Sequence, residues 1–182
     1  MGKHEEQEDN NGVNDGPNAV EMLREDHRKV QELFEEFENA DHRSRPRLAE
    51  QVLMELEVHT KLEEGLLYPA IREVVNEEAL VDKAREEHHV ATLLIKELRK
   101  MQPRDERYSA KFQVLAESVQ HHIEEEESQL LPQIEELDID LSELGQKALA
   151  QKEKLMAKGS ETKSSKNSRR NRASRRRNRR AA

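Results

Sequence analysis

The chain has 182 residues, enough for one domain with a substantial core and additional terminal segments. Hydrophobic residues make up 34% of it and charged residues 38%, which is typical of long amphipathic helices and argues against sandwiches and barrels. The lack of cysteine excludes disulfides, thiolate metal sites and a cysteine nucleophile. No apolar run predicts a membrane span, and the acidic start is unlike a secretory signal, so we expect a soluble cytoplasmic protein.

The charge is distributed unevenly along the chain. The formal net charge is −8, yet residues 158–182 carry +10 and the remainder carries −18. Residues 1–17 are rich in Glu, Asp, Asn and Gly without periodicity and are predicted to be a disordered acidic segment. Residues 158–182 are predicted to be a disordered basic tail. Because this tail contains no aromatic residue, its contact with nucleic acid or another polyanion would be driven by charge.

Four long amphipathic helices are predicted between residues 18 and 135. Asn18 is the expected N-cap of the first helix, which covers about 19–40. The others run from the break at residues 41–46 to about Tyr68, over about 77–101, and over about 106–131, ending before Pro132. Pro69 is expected to kink its helix rather than end it. The pattern predicts an all-α, up-down-up-down four-helix bundle, with a short fifth helix over 136–157.

An internal repeat relates the second and fourth helices. At an offset of 63 residues, His59 aligns with His122 and Glu63 with Glu126. In each pair the two residues lie about one helical turn apart, in line with the apolar stripe that faces the core. A buried carboxylate is costly unless it is paired or bound to a metal. Two such pairs in register therefore indicate a metal site.

A second repeat, at an offset of 61, aligns the first helix with the third and His27 with His88. The midpoints between successive histidines fall in or near the predicted breaks, which places all four imidazoles in one layer of the bundle. Four imidazoles with Glu63 and Glu126 are more than one zinc ion needs. The pattern predicts two metal ions, about 3.5–4 Å apart, of iron, manganese or zinc.

The motifs Asp26-His27, His59-x3-Glu63-Glu64, Glu86-Glu87-His88 and His122-x3-Glu126-Glu127 resemble those of the hemerythrin-like (HHE cation-binding) family over about residues 18–135. The resemblance implies a four-helix bundle with a non-haem pair of iron ions joined by an oxo or hydroxo bridge. The ligands that it implies are His27, His59, Glu63, His88, His122 and Glu126.

The resemblance also implies that the protein binds or senses dioxygen, peroxide or iron, with at most a peroxide-reducing activity. Invertebrate oxygen carriers have a second histidine in the third helix where this chain has Thr92. Two alternatives stay open. One is an iron store tethered to nucleic acid by residues 158–182, and the other is a structural bundle stapled by a metal.

The remaining polar residues of the motifs are assigned plainer roles. Glu64 and Glu127 are expected at the flank of the bundle, with a ligand role as the less favoured alternative. Tyr68 is expected to pack in the core, because its counterpart in the repeat is Leu131. Histidines outside the apolar stripes are expected on the surface, namely His4, His42, His89 and His121.

Overall fold

A computed structural model describes residues 17–178 except residue 104, with side chains described up to residue 159. The described part is all-helical, as predicted, and none of its helices is long and apolar enough to cross a membrane. The Asn18 side chain caps the first helix by accepting a hydrogen bond from the Val20 N–H at 2.8 Å. The helices are α1 (Ala19–Asn39), α2 (Arg45–Leu62), α3 (Tyr68–Ile71), α4 (Glu78–Leu98), α5 (Glu106–Glu125), α6 (Leu131–Glu135) and α7 (Leu141–Asn178), with π-helical turns π1 (Glu63–Leu67) and π2 (Glu126–Leu130).

The π turns join α2 to α3 and α5 to α6 without a break. The Tyr68 N–H donates to the carbonyl of Glu63, five residues earlier, and π2 has the same pattern. Each following segment carries a proline in its first turn, where the missing N–H costs little. The helix continues past Pro69, as predicted. The prediction that the fourth helix ends before Pro132 is wrong, because α6 extends it to Glu135.

The core consists of two apolar clusters, one at each end of the bundle, with a polar layer between them. The cluster near the α1–α2 and α4–α5 connections includes Phe37, Leu53 and Phe112. The cluster at the opposite end includes Tyr68 and Leu131. Because apolar residues fill the bundle above and below, the polar side chains of the central layer are removed from water.

Helix α7 packs against α1 and α2 on the outside of the bundle. Met22, Val58 and Leu62 are buried but belong to neither core cluster. On α1, Met22 shares a helix face with Asp26, and Asp26 pairs with Lys152 of α7. On α2, Val58 and Leu62 share a face with Met54, and Met54 lies against Gly159 of α7. These contacts place α7 over the groove between α1 and α2.

The C-terminal prediction differs from the structure. A short helix over 136–157 followed by a disordered tail was predicted, whereas α7 begins at Leu141 and continues to Asn178. The extension needs no new helix nucleus, and its sequence is rich in Lys and Arg with no proline, which favours helix. Residues 179–182 lie outside the described residues, and so do residues 1–16 of the predicted acidic segment.

Candidate metal centre

The structure brings all six residues predicted as ligands into one buried layer. Each of the four long helices contributes one imidazole, and each π turn contributes its first residue, a glutamate. Six side chains supply nitrogen and oxygen atoms that form two overlapping groups, each with its atoms within 4.8 Å of one another. The groups are His59, Glu63, His88 and His122, and His27, His59, Glu63 and Glu126.

The layer consists of two triads that the internal repeat relates. In each triad one glutamate faces the histidine of its own helix and a histidine of another helix. Two imidazoles with one carboxylate form a ligand set that suits non-haem iron. The distances from carboxylate Oε2 to imidazole Nε2 are 3.0 Å for Glu63–His59, 3.1 Å for Glu63–His88, 3.3 Å for Glu126–His27 and 3.7 Å for Glu126–His122.

Many polar atoms of this layer are buried without a hydrogen bond of good geometry. They include both oxygens of Glu63, both nitrogens of His59 and Nε2 of His27. Buried polar atoms are normally satisfied, and each unsatisfied one costs free energy. Carboxylate and imidazole lone pairs that converge in this way fit a bound cation, which would satisfy them together.

The electrostatics of the layer favour positive charge. Burial lowers the pKa of His27, but the carboxylates of Glu126 and Glu63 more than offset it and raise this pKa to about 9. Burial would raise the pKa of Glu63, yet His59 and His88 beside it hold the pKa of this carboxyl well below its ordinary value. The Glu63 carboxylate therefore stays ionised in the interior and needs cationic partners.

Three of the four imidazoles also have a carboxylate from outside the layer close to Nδ1, hydrogen-bonded at His27 and His122 and in ion-pair range at His88. Such partners orient a ligating imidazole and fix which nitrogen carries the proton. The contacts are His27 with Glu127 at 2.8 Å, His122 with Glu87 at 2.9 Å and His88 with Glu64 at 3.4 Å. Glu64 and Glu127 are partly exposed at the bundle flank, as expected, but their carboxylates turn towards histidines. Their position next to each layer glutamate in the motifs was the signal for this role.

Residues 18–134 match the family described as the hemerythrin HHE cation binding domain. This chain belongs to that family. An uncharacterized hemerythrin-like protein of Schizosaccharomyces pombe is 29% identical over 118 residues, which are 63% of this chain and 58% of that protein. The chain thus matches little more than half of that relative. The crystal structure of a hemerythrin HHE cation binding domain-containing protein from Mycobacterium kansasii superposes with a TM-score of 0.68 and 26% identity, covering 78% of this chain and 89% of that one.

Tyr68 contacts the centre of the HHE domain, which its predicted packing role did not anticipate. Its hydroxyl donates to Glu126 Oε1 at 3.2 Å, and its ring stacks on His88 with centroids 5.7 Å apart. Burial, followed by the charges of Glu63 and Glu126, raises the pKa of Tyr68 well above its ordinary value, so the hydroxyl keeps its proton. The comparison with Leu131 concealed this contact, because only one half of the repeat has a hydroxyl here.

A small cavity borders the histidines of the HHE domain. Its volume is about 20 Å³, and it is lined by the four imidazoles and by apolar side chains such as Val30, Leu56 and Val119. This volume holds about one water-sized molecule. The cavity therefore has room for one very small ligand against the imidazoles.

Histidines outside the layer lie at the surface of the HHE domain. His42, His89 and His121 are exposed, as predicted, and His4 is outside the described residues. His121 forms a third group of metal-ligand type with Glu87 and Glu125. Lys83 pairs with Glu125, and Glu87 is already bonded to a layer histidine, so this group has other partners.

Proposed function

We propose that this protein binds two iron ions in the central layer and uses them to bind or sense dioxygen or peroxide. The observation that carries the proposal is the pair of repeat-related triads, each with two imidazoles and one carboxylate. The ions would be held by His27, His59 and Glu63 together with their repeat counterparts, His88, His122 and Glu126. Iron in such a site supplies redox chemistry and coordination positions for a small oxygen ligand.

The protein's own residues have separate roles in this proposal. Glu87 and Glu127 hold the outer nitrogens of His122 and His27 by hydrogen bonds, so that Nε2 faces the layer, and Glu64 lies 3.4 Å from the outer nitrogen of His88. Tyr68 holds one oxygen of Glu126 by hydrogen bonding. The two core clusters exclude water, and the cavity leaves room for one small ligand beside the imidazoles.

Iron content is the first test. Purified full-length protein should hold about two iron ions per chain and should show charge-transfer absorption in the near-UV when oxidised. The double variant His59→Ala/His122→Ala should lose most of the iron. The matched control is His89→Ala/His121→Ala, which removes two exposed imidazoles, one on α4 and one on α5, and should keep the iron. Full iron retention by the first variant would refute the assignment.

Reaction with oxygen or peroxide is the second test, and it separates this function from iron storage. Anaerobic ferrous protein mixed with either oxidant should change its absorption spectrum in stopped flow. Ala91→Leu fills part of the cavity without altering a proposed ligand. It should bind iron normally but react more slowly. If the wild-type protein holds iron and reacts with neither oxidant, the storage alternative is favoured.

We also propose that the end of α7 tethers the domain to nucleic acid. The specific observation is that α7 continues as a helix to Asn178, through the segment in which the basic residues are concentrated. Lys and Arg on a helix attract phosphates whatever their sequence, and salt weakens the attraction steeply.

Retention on a DNA column tests this second function. The full chain should bind at low salt and elute as the salt concentration rises, and a chain ending at Ala157 should not bind. Retention of the shortened chain, or no binding of the full chain at low salt, would contradict the tether. The iron content of the shortened chain should be unchanged, because the central layer lies in residues 27–126.

A further inference from the structure

The carboxylates that lie near the outer histidine nitrogens follow the internal repeat. Three of the four nitrogens have such a neighbour within 3.4 Å, by hydrogen bond at His27 and His122 and by ion-pair contact alone at His88. Glu64 and Glu127 are counterparts at the offset of 63, and each contacts the histidine of a helix in the other half of the repeat. The third carboxylate, Glu87 on α4, contacts His122 on the neighbouring helix α5 at 2.9 Å. A fourth contact would complete the symmetry.

The repeat identifies the two members of that fourth contact. Shifting Glu87 back by 61 residues gives Asp26 on α1, and shifting His122 back by 63 gives His59 on α2. His59 Nδ1 is buried and has no hydrogen-bond partner among the described residues. Its Nε2 faces the layer, 3.0 Å from Glu63, so Nδ1 is the nitrogen that would carry the proton in a metal-bound imidazole.

Asp26 has the burial and the position that this role requires. It is only 7% exposed, although it carries a carboxylate, and it lies next to His27 on α1. In the structure its carboxylate pairs with Lys152 of α7. The two halves differ here in two ways. Asp26 is one methylene shorter than its counterpart Glu87 on α4. In the described chain, α7 covers the face of α1 and α2, and no helix covers the equivalent face of α4 and α5.

We infer that Asp26 is the positioning residue for His59: with a metal ion bound, the Asp26 carboxylate would accept a hydrogen bond from His59 Nδ1 while keeping its pair with Lys152. This inference rests on the proposed metal centre. It links the packing of α7 to that centre, because one carboxylate would contact both the helix and the imidazole.

Glu55 is the competing carboxylate and provides a matched control. It is also buried, lies one turn before His59 on α2, and pairs with Lys29 at 2.7 Å. Its repeat counterpart is Ser118, so the symmetry of the outer contacts does not include it. Glu55→Gln therefore tests whether any buried carboxylate near this face matters.

The experiment measures the affinity of the full chain for Fe²⁺ by anaerobic competition with a colorimetric chelator. Loss of an outer partner of a metal ligand typically weakens metal binding about 10–100-fold. We expect a loss of this size for Asp26→Asn, and an affinity close to wild type for Asp26→Glu, since the second half uses glutamate at this position. Glu55→Gln should bind as wild type does.

Lys152 separates the positioning role from simple anchoring of α7. Lys152→Met should keep the wild-type affinity, whereas the charge-balanced double variant Asp26→Asn/Lys152→Met, which leaves no unpaired lysine to disturb folding, should lose as much as Asp26→Asn. If Asp26 only anchors α7, the double variant will bind normally or Lys152→Met alone will show the same loss, and either result overturns the inference. Loss of affinity in Glu55→Gln with normal binding in Asp26→Asn also overturns it. Wild-type protein that binds no Fe²⁺ overturns the proposed function itself.

Discussion

The two halves of the bundle, residues 19–71 and residues 78–135, are alike on the inside and different on the outside. Inside, each half supplies two histidines and a glutamate at equivalent repeat positions, and each contains a π turn that begins with that glutamate and precedes its last short helix. Outside, the first half buries Met22, Val58 and Leu62 on the side where α7 packs. Their counterparts are Lys83, His121 and Glu125, which are polar and not buried.

This difference separates two constraints on a duplicated helix pair. The inner faces must complete one shared polar layer, so changes there would leave buried charges without partners. The outer faces meet different surroundings. The one under α7 must be apolar, and the one facing solvent must be polar. The two halves therefore keep equivalent residues on the inner faces, where they contact each other, and have different residues on the outer faces.

The largest expected effect comes from a pair of substitutions at one repeat position. Leu62→Ala should lower the free energy of unfolding by about 3 kcal/mol, because it leaves a cavity in a buried apolar face. Glu125→Ala, at the equivalent position of the second half, should change it little, since it removes only partly exposed ion pairs with Lys83 and His121. Urea denaturation of both variants measures the difference. Equal losses would contradict the assignment of a buried outer face to the first half alone.

A smaller effect is expected where α7 meets the start of α1. A Cβ atom on Gly145 would collide with the backbone carbonyl of Pro17. Gly145→Ala should therefore destabilise the protein by about 1–3 kcal/mol, although the same change usually stabilises a helix.

The control for this variant is Gly65 in π1, where an added Cβ meets no atom within 4 Å. Gly65→Ala should leave the stability unchanged or raise it by up to about 1 kcal/mol. Thermal unfolding monitored by circular dichroism measures whether each variant is less or more stable than the wild type. A stabilising Gly145→Ala would mean that α7 does not approach α1 as closely as the structure indicates.

The smallest expected effect on stability comes from surface ion pairs that join the two halves near their ends. Arg24 on α1 pairs with Glu135 on α6, and Arg72 pairs with Asp82 on the opposite side. The hydrogen bond from Arg24 holds the pKa of Glu135 below its ordinary value. A depressed carboxyl pKa stabilises the fold above the pKa of the unfolded chain, and this contribution disappears as the pH falls through the folded value.

Glu135→Gln should thus cost at most about 0.5 kcal/mol at pH 7. The difference from wild type should begin to shrink near the ordinary glutamate pKa of about 4.3 and should vanish only below the depressed pKa of folded Glu135. Urea titrations at pH 7 and at a series of lower pH values measure it. A cost that stays constant with pH would show that the charge of Glu135 is not its cause, and Arg24→Gln should reproduce the same pH dependence.

Much of the centre could be predicted from the sequence, because repeat spacing and helical periodicity place residues on a common face. His59 and Glu63 are one turn apart on the same helix, and the offset alone relates them to their counterparts in the second half. The π turns could not be predicted in this way, since they shift the register by one residue without a composition signal. The contact between Tyr68 and Glu126 joins residues 58 positions apart and depends on that register.

By itself, the sequence determined the four long helices of the bundle, the inward stripe of each one and the level at which their four imidazoles meet. These follow from local periodicity, caps and breaks. Only the tertiary structure decided which carboxylate holds which imidazole, that Tyr68 reaches the centre, and that α7 covers one half and leaves the other exposed. Such contacts join separate helices, and their choice depends on how the helices pack rather than on the pattern along any one of them.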